Sequence, residues 1–374
     1  MTDISKTYRN LFVEYGYDKQ AISNRLETIF ETIFNGSEED RLYFEGPNQT
    51  AYVIDTGNDD VRTEGMSYAM MACVQLDKQE LFNKLWKWSK TYMYMTEGEN
   101  KGYFAWSVQT NGEKNSDGPA PDGEEYFAMA LFFAANRWGN GEGIFHYDKE
   151  AKQLLSDCIH KGENNDGYPM WHPQNKQIKF VPNCNFTDPS YHLPHFYRLF
   201  SEWGNPEDRE FWLEAADASV SLLKKACHPV TGLSAEYTNY DGSPVYLDHH
   251  YLFYSDSYRV AGNIGLANEW FGNDSELNDC VTRLQRFFCE TVVGKENLVY
   301  EIDGEAIQQE VLHPVGLVAA NAMGSLATKG AYAEACVRKF WETPLRKGDR
   351  RYYDNFLYLF AFMALSGNYR IWGK

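Results

Sequence analysis

The feature that most constrains the fold of this chain is a regular alternation between two kinds of helical segment. Apolar residues recur at helical spacing in about a dozen stretches, each bounded by Gly, Pro, Asn or Asp. The links between consecutive stretches are often as short as residues 204–206 or 272–274, which is typical of antiparallel helical hairpins. The spacing predicts helices over residues 18–34, 63–76, 78–95, 123–137, 148–161, 190–203, 207–226, 255–271, 275–293, 313–328, 331–342 and 354–366.

The predicted helices differ in polarity in a way that indicates two layers. One group is rich in Gly, Ala, Met and aromatic residues and has few charges, which predicts burial: 63–76, 123–137, 255–271, 313–328 and 354–366. The other group carries charges on one face, as solvent-facing helices do: 78–95, 148–161, 207–226, 275–293 and 331–342. Six hairpins, each with one buried and one exposed helix, predict an all-α protein with an (α/α)6 barrel. Because no linker interrupts the pattern, we expect a single domain over residues 1–374.

The connections between the hairpins contain several long loops. These cover residues 35–62, 96–122, 162–189 and 228–254, and ordered loops of such length are usually functional. Short strands are expected at 52–54, 103–106 and 299–302.

The composition limits the kinds of molecule that this protein is expected to bind and the compartment in which it is expected. A net charge of −18, spread along the chain, disfavours nucleic acid and anionic membrane surfaces. No stretch is apolar enough to cross a membrane and the N-terminus lacks the apolar core of a signal peptide, so we expect a cytoplasmic protein. The 7 cysteines are scattered, which predicts reduced thiols and no thiolate zinc site. The 10 Trp, 26 Tyr and 23 Phe favour a cleft in which rings stack on sugars.

Glu64 stands where a polar loop becomes a largely apolar helix. Burial near Met66, Met70 and Met71 would disfavour its ionised form and raise its pKa toward the range of a general acid. The alternative is that Thr63 caps the helix and Glu64 occupies its first turn, where the helix dipole favours any acid.

Two more carboxylates occupy similar positions. Asp122 lies between Pro121 and Gly123 at the start of a buried segment, where it is either a site residue or an N-cap. Asp256 opens another buried helix, and Arg259 follows three residues later on the same face. An arginine there would keep a general base ionised, although a capping Asp with a structural ion pair has the same pattern.

Histidines occur at two further helix starts. A metal site formed by His192 and His195 is conceivable, but no third ligand is nearby and Pro194 disturbs that turn. His313 precedes Pro314, which can occupy the first helical position. A lone histidine at such a place is more often structural than catalytic.

Several carboxylates at the same end of alternating helices in a ring would converge on one cleft. One carboxyl group in an apolar setting and one in a polar setting near an arginine form the pair that glycoside hydrolysis needs. The chain contains no dinucleotide-binding, Walker, Gly-x-Ser-x-Gly or His-Glu-x-x-His motif.

At the level of these motifs the sequence resembles glycoside hydrolase family 8 over essentially its whole length. The segments that carry the resemblance are residues 60–68, 102–107, 119–127, 188–197, 253–259, 312–317 and 350–355. The resemblance implies an (α/α)6 barrel and an inverting mechanism without a metal or organic cofactor.

The resemblance also implies a role for each of eight residues. Glu64 corresponds to the general acid, Asp256 to the general base, Asp122 to the aspartate that positions the sugar in the −1 subsite and Tyr191 to the tyrosine that holds the attacking water. Four others correspond to substrate-binding positions: Trp106 as an aromatic platform, Arg259 after the base, His313 in the loop that blocks the cleft beyond the +1 subsite, and Tyr353 as a subsite residue.

The activity that the resemblance implies is hydrolysis of β-1,4-xylooligosaccharides of three or more units, releasing xylose from the reducing end. The alternative within the family is an endo-acting xylanase, glucanase or chitosanase. Outside it, the alternatives are a non-catalytic sugar-binding protein and an epimerase or lyase on the same barrel. We expect a monomer whose partner is a xylooligosaccharide.

Overall fold

The structure is a computed structural model that describes residues 7–163, 165–272 and 274–373. Within these residues the chain starts with a four-residue helix, α1 (Leu11–Glu14). Twelve longer helices then alternate between an outer and an inner layer. The even-numbered ones are α2 (Lys19–Asn35), α4 (Gln79–Trp88), α6 (Tyr147–His160), α8 (Arg209–Ala226), α10 (Ser275–Arg286) and α12 (Ala331–Glu342), and the odd-numbered ones are α3 (Thr63–Gln75), α5 (Pro121–Trp138), α7 (Pro194–Trp203), α9 (Arg259–Phe271), α11 (Pro314–Met323) and α13 (Arg351–Leu365).

The odd-numbered helices α3 to α13 form a closed inner ring. Each packs against the next, and α13 returns to contact α3. Each also packs against an even-numbered helix, with α2 lying on α13. Because the two helices of a hairpin run in opposite directions, the six inner helices all point the same way. This confirms the predicted (α/α)6 barrel.

Burial explains why these sequences occupy these layers. Every residue of α13 is buried, as its almost uncharged sequence predicts. On α12, by contrast, burial is confined to one stripe, Ala333, Cys336, Val337 and Phe340. An amphipathic helix with a single apolar stripe can cover the ring from outside but cannot occupy its centre.

Several predicted helices have different limits in the structure, among them those predicted over residues 190–203 and 354–366. The segment 190–203 is interrupted: a short 3₁₀ turn, Pro189–Tyr191, precedes α7, which begins at Pro194. Proline at 194 disfavours helical geometry in the residue before it, so the helix restarts there. The last inner helix begins at Arg351 rather than at 354, which brings Tyr352 and Tyr353 into its first turn.

Short antiparallel strand pairs cover parts of the long loops. They are β1 (Tyr43–Gly46) with β2 (Thr50–Val53), β3 (Val61–Arg62) with β4 (Ser107–Val108), and β5 (Leu298–Tyr300) with β6 (Ala306–Glu310). The strands expected near residues 52–54 and 299–302 are therefore present. The one expected at 103–106 is not, since within the described chain only an isolated bridge from Phe104 to Tyr94 lies there and the strand follows at Ser107.

No helix among the described residues is both long enough and apolar enough to cross a membrane.

Candidate active site

A cleft of about 690 Å³ opens at the end of the barrel where the inner helices begin. All six inner helices place a predicted site residue there, in the first turn or just before it. These residues are Glu64 on α3, Asp122 on α5, Tyr191 before α7, Asp256 before α9, His313 before α11 and Tyr353 on α13. Trp106, from the loop between α4 and α5, lines the same cleft. The parallel direction of the inner helices is what brings these residues together.

Arg259 joins three of the carboxylates. Its Nη1 lies 3.2 Å from Glu64 Oε2 and 3.1 Å from Asp122 Oδ2. Its Nη2 lies 3.3 Å from Asp256 Oδ1. The contact with Asp256 is the one that the sequence predicted, and the contacts with the other two carboxylates are additional. One buried cation therefore offsets part of the charge of all three acids.

The Glu64 carboxylate has two polar partners. Its Oε1 accepts a hydrogen bond of 2.9 Å from the Tyr352 hydroxyl, in addition to the Arg259 contact. Burial nevertheless raises the pKa of Glu64 to about 8, against the opposing effect of Arg259, with the nearby Asp122 raising it further. The structure thus gives Glu64 the raised pKa that the sequence predicted, but not the wholly apolar surroundings.

The capping alternatives are met only in part: neither Thr63 nor Asp122 caps its helix, but Glu64 does lie in the first turn of α3. The residue before α3 is Arg62, which makes no side-chain capping bond, and Glu64 occupies the first turn. Asp122 likewise lies inside the first turn of α5, where its Oδ1 accepts from the Gly123 amide and its Oδ2 faces Arg259. Burial raises the pKa of Asp122 to about 6, although Arg259 lowers it.

Close packing of the inner helices positions both acids. A Cβ atom on Gly65 would lie 2.5 Å from the Tyr352 ring, and one on Gly123 would lie 2.5 Å from the Thr63 side chain. Only glycine permits such an approach, and it brings Tyr352 within reach of Glu64.

Asp256 lies in a different environment. It belongs to a 3₁₀ turn, Ser255–Tyr258, that leads directly into α9, and its side chain is 29% exposed. Its backbone amide donates to Glu236 Oε1 at 3.0 Å, and Glu236 Oε2 lies 2.6 Å from His250 Nδ1. The preceding residue, Ser255, has a φ of 30°, a conformation that non-glycine residues rarely adopt. Loop contacts therefore set the position of Asp256.

Tyr191 and Tyr353 are buried rings near Arg259. Its guanidinium carbon lies 5.6 Å from the centre of the Tyr191 ring and 5.9 Å from that of Tyr353. The Tyr353 hydroxyl donates to the Ser255 carbonyl at 3.3 Å. Both rings help to enclose the arginine and the acids around it.

Asp354 contacts the loop that carries His313 and holds it in place. Asp354 is fully buried, and its Oδ2 lies 3.2 Å from His313 Nδ1 and also contacts Arg346. Arg346 also donates to the Leu312 carbonyl, so the segment before α11 is fixed at two adjacent residues. Leu312 and His313 both line the cleft.

Trp106 presents part of its ring to the cleft and is 36% exposed. The Arg62 guanidinium carbon lies 5.1 Å from the ring centre. Ion pairs with Asp55 and Asp60 hold Arg62 in place. A half-exposed indole supported in this way can stack on a neutral ring.

The histidines considered as metal ligands take structural positions. His192 is buried between Thr187 Oγ1 and Ser219 Oγ, at 2.8 Å from each. His195 packs against the Trp270 ring. Burial lowers the pKa of each to about 3, so both are neutral, and neither belongs to a potential metal-binding cluster among the described residues.

Sequence reasoning missed three residues of the site. Glu236 lies in a long loop without a recognisable pattern, and only its hydrogen bond with the Asp256 amide reveals it. Tyr352 and Asp354 lie beside Tyr353, but the predicted helix began at residue 354 instead of 351, so the side chains that its first turn brings together were not predicted.

Fold and site together define a glycoside hydrolase of the (α/α)6 type: carboxylic acids of different exposure face one cleft at the end of a double ring of helices. The family model for glycosyl hydrolases family 8 matches residues 18–367. The chain therefore belongs to this family.

Individual proteins match this chain to different degrees. The "Reducing end xylose-releasing exo-oligoxylanase" of Halalkalibacterium halodurans is 55% identical over 98% of this chain and 95% of its own length. The solved structure of Rex8A from Paenibacillus barcinonensis, complexed with xylose, has a TM-score of 0.96 at 52% identity, covering 98% of both chains. "Endoglucanase 2" of Ruminiclostridium josui is only 28% identical, over 83% of this chain and 65% of its own length.

Proposed function

We propose that this enzyme hydrolyses β-1,4-xylooligosaccharides of three or more units, releasing xylose from the reducing end with inversion of the anomeric carbon. The observation that carries the proposal is the arrangement of Glu64 and Asp256 at one cleft, with side chains 16% and 29% exposed and with Arg259 contacting both. High similarity to exo-acting relatives supports the substrate and the end of the chain that is attacked.

Glu64 is the proposed general acid. A carboxyl group with a pKa of about 8 is protonated at neutral pH and can give its proton to the glycosidic oxygen as the bond breaks. The Tyr352 hydroxyl and Arg259 then stabilise the carboxylate that remains.

Asp256 is the proposed general base. Its partial exposure leaves room for a water molecule, and its Oδ1 lies 3.3 Å from Arg259 Nη2. We assign Tyr191 to holding that water and Asp122 to binding the sugar in the −1 subsite. An inverting site separates its two carboxyl groups by roughly 6.5–9.5 Å to accommodate the water.

The His313 loop accounts for exo action in this proposal. Asp354 and Arg346 fix Leu312 and His313 in the cleft wall, so the loop can limit the space beyond the bond that is cleaved. Trp106, with its exposed face, is the proposed sugar platform, and Tyr353 lines a subsite beside His313, whose ring centre lies 4.7 Å away.

The setting proposed for the enzyme is a monomer in the cytoplasm. The seven cysteines are free, as expected in a reducing compartment, and one chain supplies every residue of the proposed site. Light scattering on the purified protein and cell fractionation test these two points.

The decisive experiment follows xylotriose hydrolysis by proton NMR during the first turnovers. We expect xylose and xylobiose as the first products, cleavage at the reducing end, and a new anomeric centre of inverted configuration. A first product with retained configuration contradicts the mechanism. A ladder of intermediate lengths from polymeric xylan contradicts exo action and supports the endo-acting alternative.

A further inference from the structure

A second cavity lies in the outer part of the barrel, away from the cleft. It has a volume of about 240 Å³ and reaches α11, α12 and the π-helical turn, Phe287–Thr291, that ends α10. Two cysteines line it, Cys289 from that turn and Cys336 from α12. Neither residue lines the cleft described above.

The two thiols face each other across a short gap. Their Sγ atoms are 4.0 Å apart. A disulfide requires about 2 Å between the sulfurs, so the two must approach by about 2 Å. The pair is separated by 47 positions in the sequence, and the enclosed segment contains β5, β6 and α11.

The two thiols differ in exposure and in pKa, and these differences indicate which of them reacts first. Cys289 is partly exposed, and its pKa is lowered to about 7 by the hydrogen bond with Cys336 and by Lys339. Cys336 is buried, and its pKa is raised. A partly exposed thiol that ionises near neutral pH attacks first, and its buried neighbour resolves the intermediate.

We propose that Cys289 and Cys336 are a redox-reactive dithiol, a modification site at which low-molecular-weight disulfides oxidise the enzyme to an intramolecular disulfide. The Cys289 thiolate attacks one sulfur of oxidised glutathione, whose S–S bond breaks and releases one glutathione thiolate. The Cys336 thiolate, after losing its proton to solvent, attacks the Cys289 sulfur and releases the second glutathione. Two cysteine thiols lose two electrons, and one oxidised glutathione becomes two molecules of glutathione.

A second cysteine pair provides an internal comparison. Cys227 and Cys280 also interact, but both are buried, and Cys280 Sγ accepts from Arg283 Nη2 at 3.2 Å. Neither lines the 240 Å³ cavity. A disulfide reagent therefore has a route to Cys289 that it lacks to this pair.

The test treats the reduced, folded enzyme with oxidised glutathione and measures intact mass and a peptide map. We expect the wild type to lose two hydrogen atoms, to retain no glutathione and to show linked Cys289 and Cys336 peptides, all reversed by dithiothreitol. Cys336→Ser should accumulate one glutathione at Cys289, and Cys289→Ser should react at least tenfold more slowly.

Cys184→Ser is the matched control, since Cys184 is also partly exposed but donates its thiol hydrogen to the Phe186 carbonyl. It should behave as the wild type. Unchanged wild-type mass, glutathione that stays on the wild type, or a crosslink between Cys227 and Cys280 overturns the proposal. The wild-type peptide map decides this even if a variant fails to fold.

Discussion

The two sides of the catalytic cleft are built in different ways. On the side of the proposed acid, Glu64 and Asp122 lie in the first turns of inner helices and contact Arg259, and Asp122 and Arg259 are buried. On the base side, Asp256 lies in a 3₁₀ turn whose position depends on Glu236, a loop residue. Helix packing thus controls the protonation state of Glu64, whereas loop hydrogen bonds control the position of Asp256, which solvent can reach.

The largest expected effect comes from removing either carboxylate. Glu64→Gln and Asp256→Asn should each lower kcat on xylotriose by about 10²–10⁴-fold, the usual contribution of general acid or base catalysis. Steady-state kinetics measure this, and circular dichroism checks that the fold is retained. Glu210→Gln, at an exposed position on α8, is the control and should be unaffected. A variant with near-normal kcat would lose its assigned role.

A smaller effect is expected from crowding the acid side. Gly65→Ala places a Cβ 2.5 Å from the Tyr352 ring, which must move away from Glu64. We expect kcat to fall by about 10–100-fold, since displacement of a catalytic group by 1 Å can cost that much. Gly118→Ala is the matched control, because its Cβ would meet only ordinary contact at 3.6 Å. Equal effects of the two substitutions would contradict this role for the packing.

The pH dependence of kcat/KM should distinguish residues beside Glu64 from residues beside Asp256. Glu64 must be protonated to act, so kcat/KM should fall as the pH rises through about 8. The Tyr352 hydroxyl favours ionised Glu64, so Tyr352→Phe should raise this pKa and move the alkaline limit to higher pH. Tyr353→Phe, which removes a hydrogen bond to Ser255 on the base side, should leave that limit in place. An alkaline limit that is unchanged in Tyr352→Phe, or that moves in Tyr353→Phe, contradicts the assignment.

The same pKa predicts a contribution to folding stability. Because the pKa of Glu64 in the folded protein is about 8 and its ordinary value is 4.5, the folded state holds a proton that the unfolded state releases between these values. Stability should therefore decline from about pH 4.5 to about pH 8 more steeply in the wild type than in Glu64→Gln. Urea unfolding at several pH values measures the difference, and parallel curves would contradict it.

The smallest effect is expected on the base side. His250→Ala removes the partner of Glu236 but leaves the Glu236 bond to the Asp256 amide. We expect a loss of only a few fold in kcat, with the alkaline limit unchanged. A loss as large as that of Asp256→Asn would show that His250 itself takes part in the chemistry.

Much of the architecture could be predicted because it depends on local patterns. The limits of α3 and α12 were predicted to within one residue, since apolar periodicity and flanking turn residues define them. The break at Pro194 and the earlier start of α13 at Arg351 were missed. The break at Pro194 follows from a local effect of proline that apolar periodicity does not include, and the start of α13 depends on how its first turn packs against the ring.

The sequence alone determined the double ring and the end of it that carries the site. Alternating buried and amphipathic helices joined by short links can bury their apolar faces in few other ways, and the carboxylates stand at the starts of the buried ones. The tertiary structure decided how those carboxylates differ. Arg259 contacts Glu64 and Asp122 across 195 and 137 positions of sequence, and Glu236 supports Asp256 from a separate loop. Charge interactions and desolvation depend on distance and burial in space, so only the folded ring gives Glu64 its raised pKa.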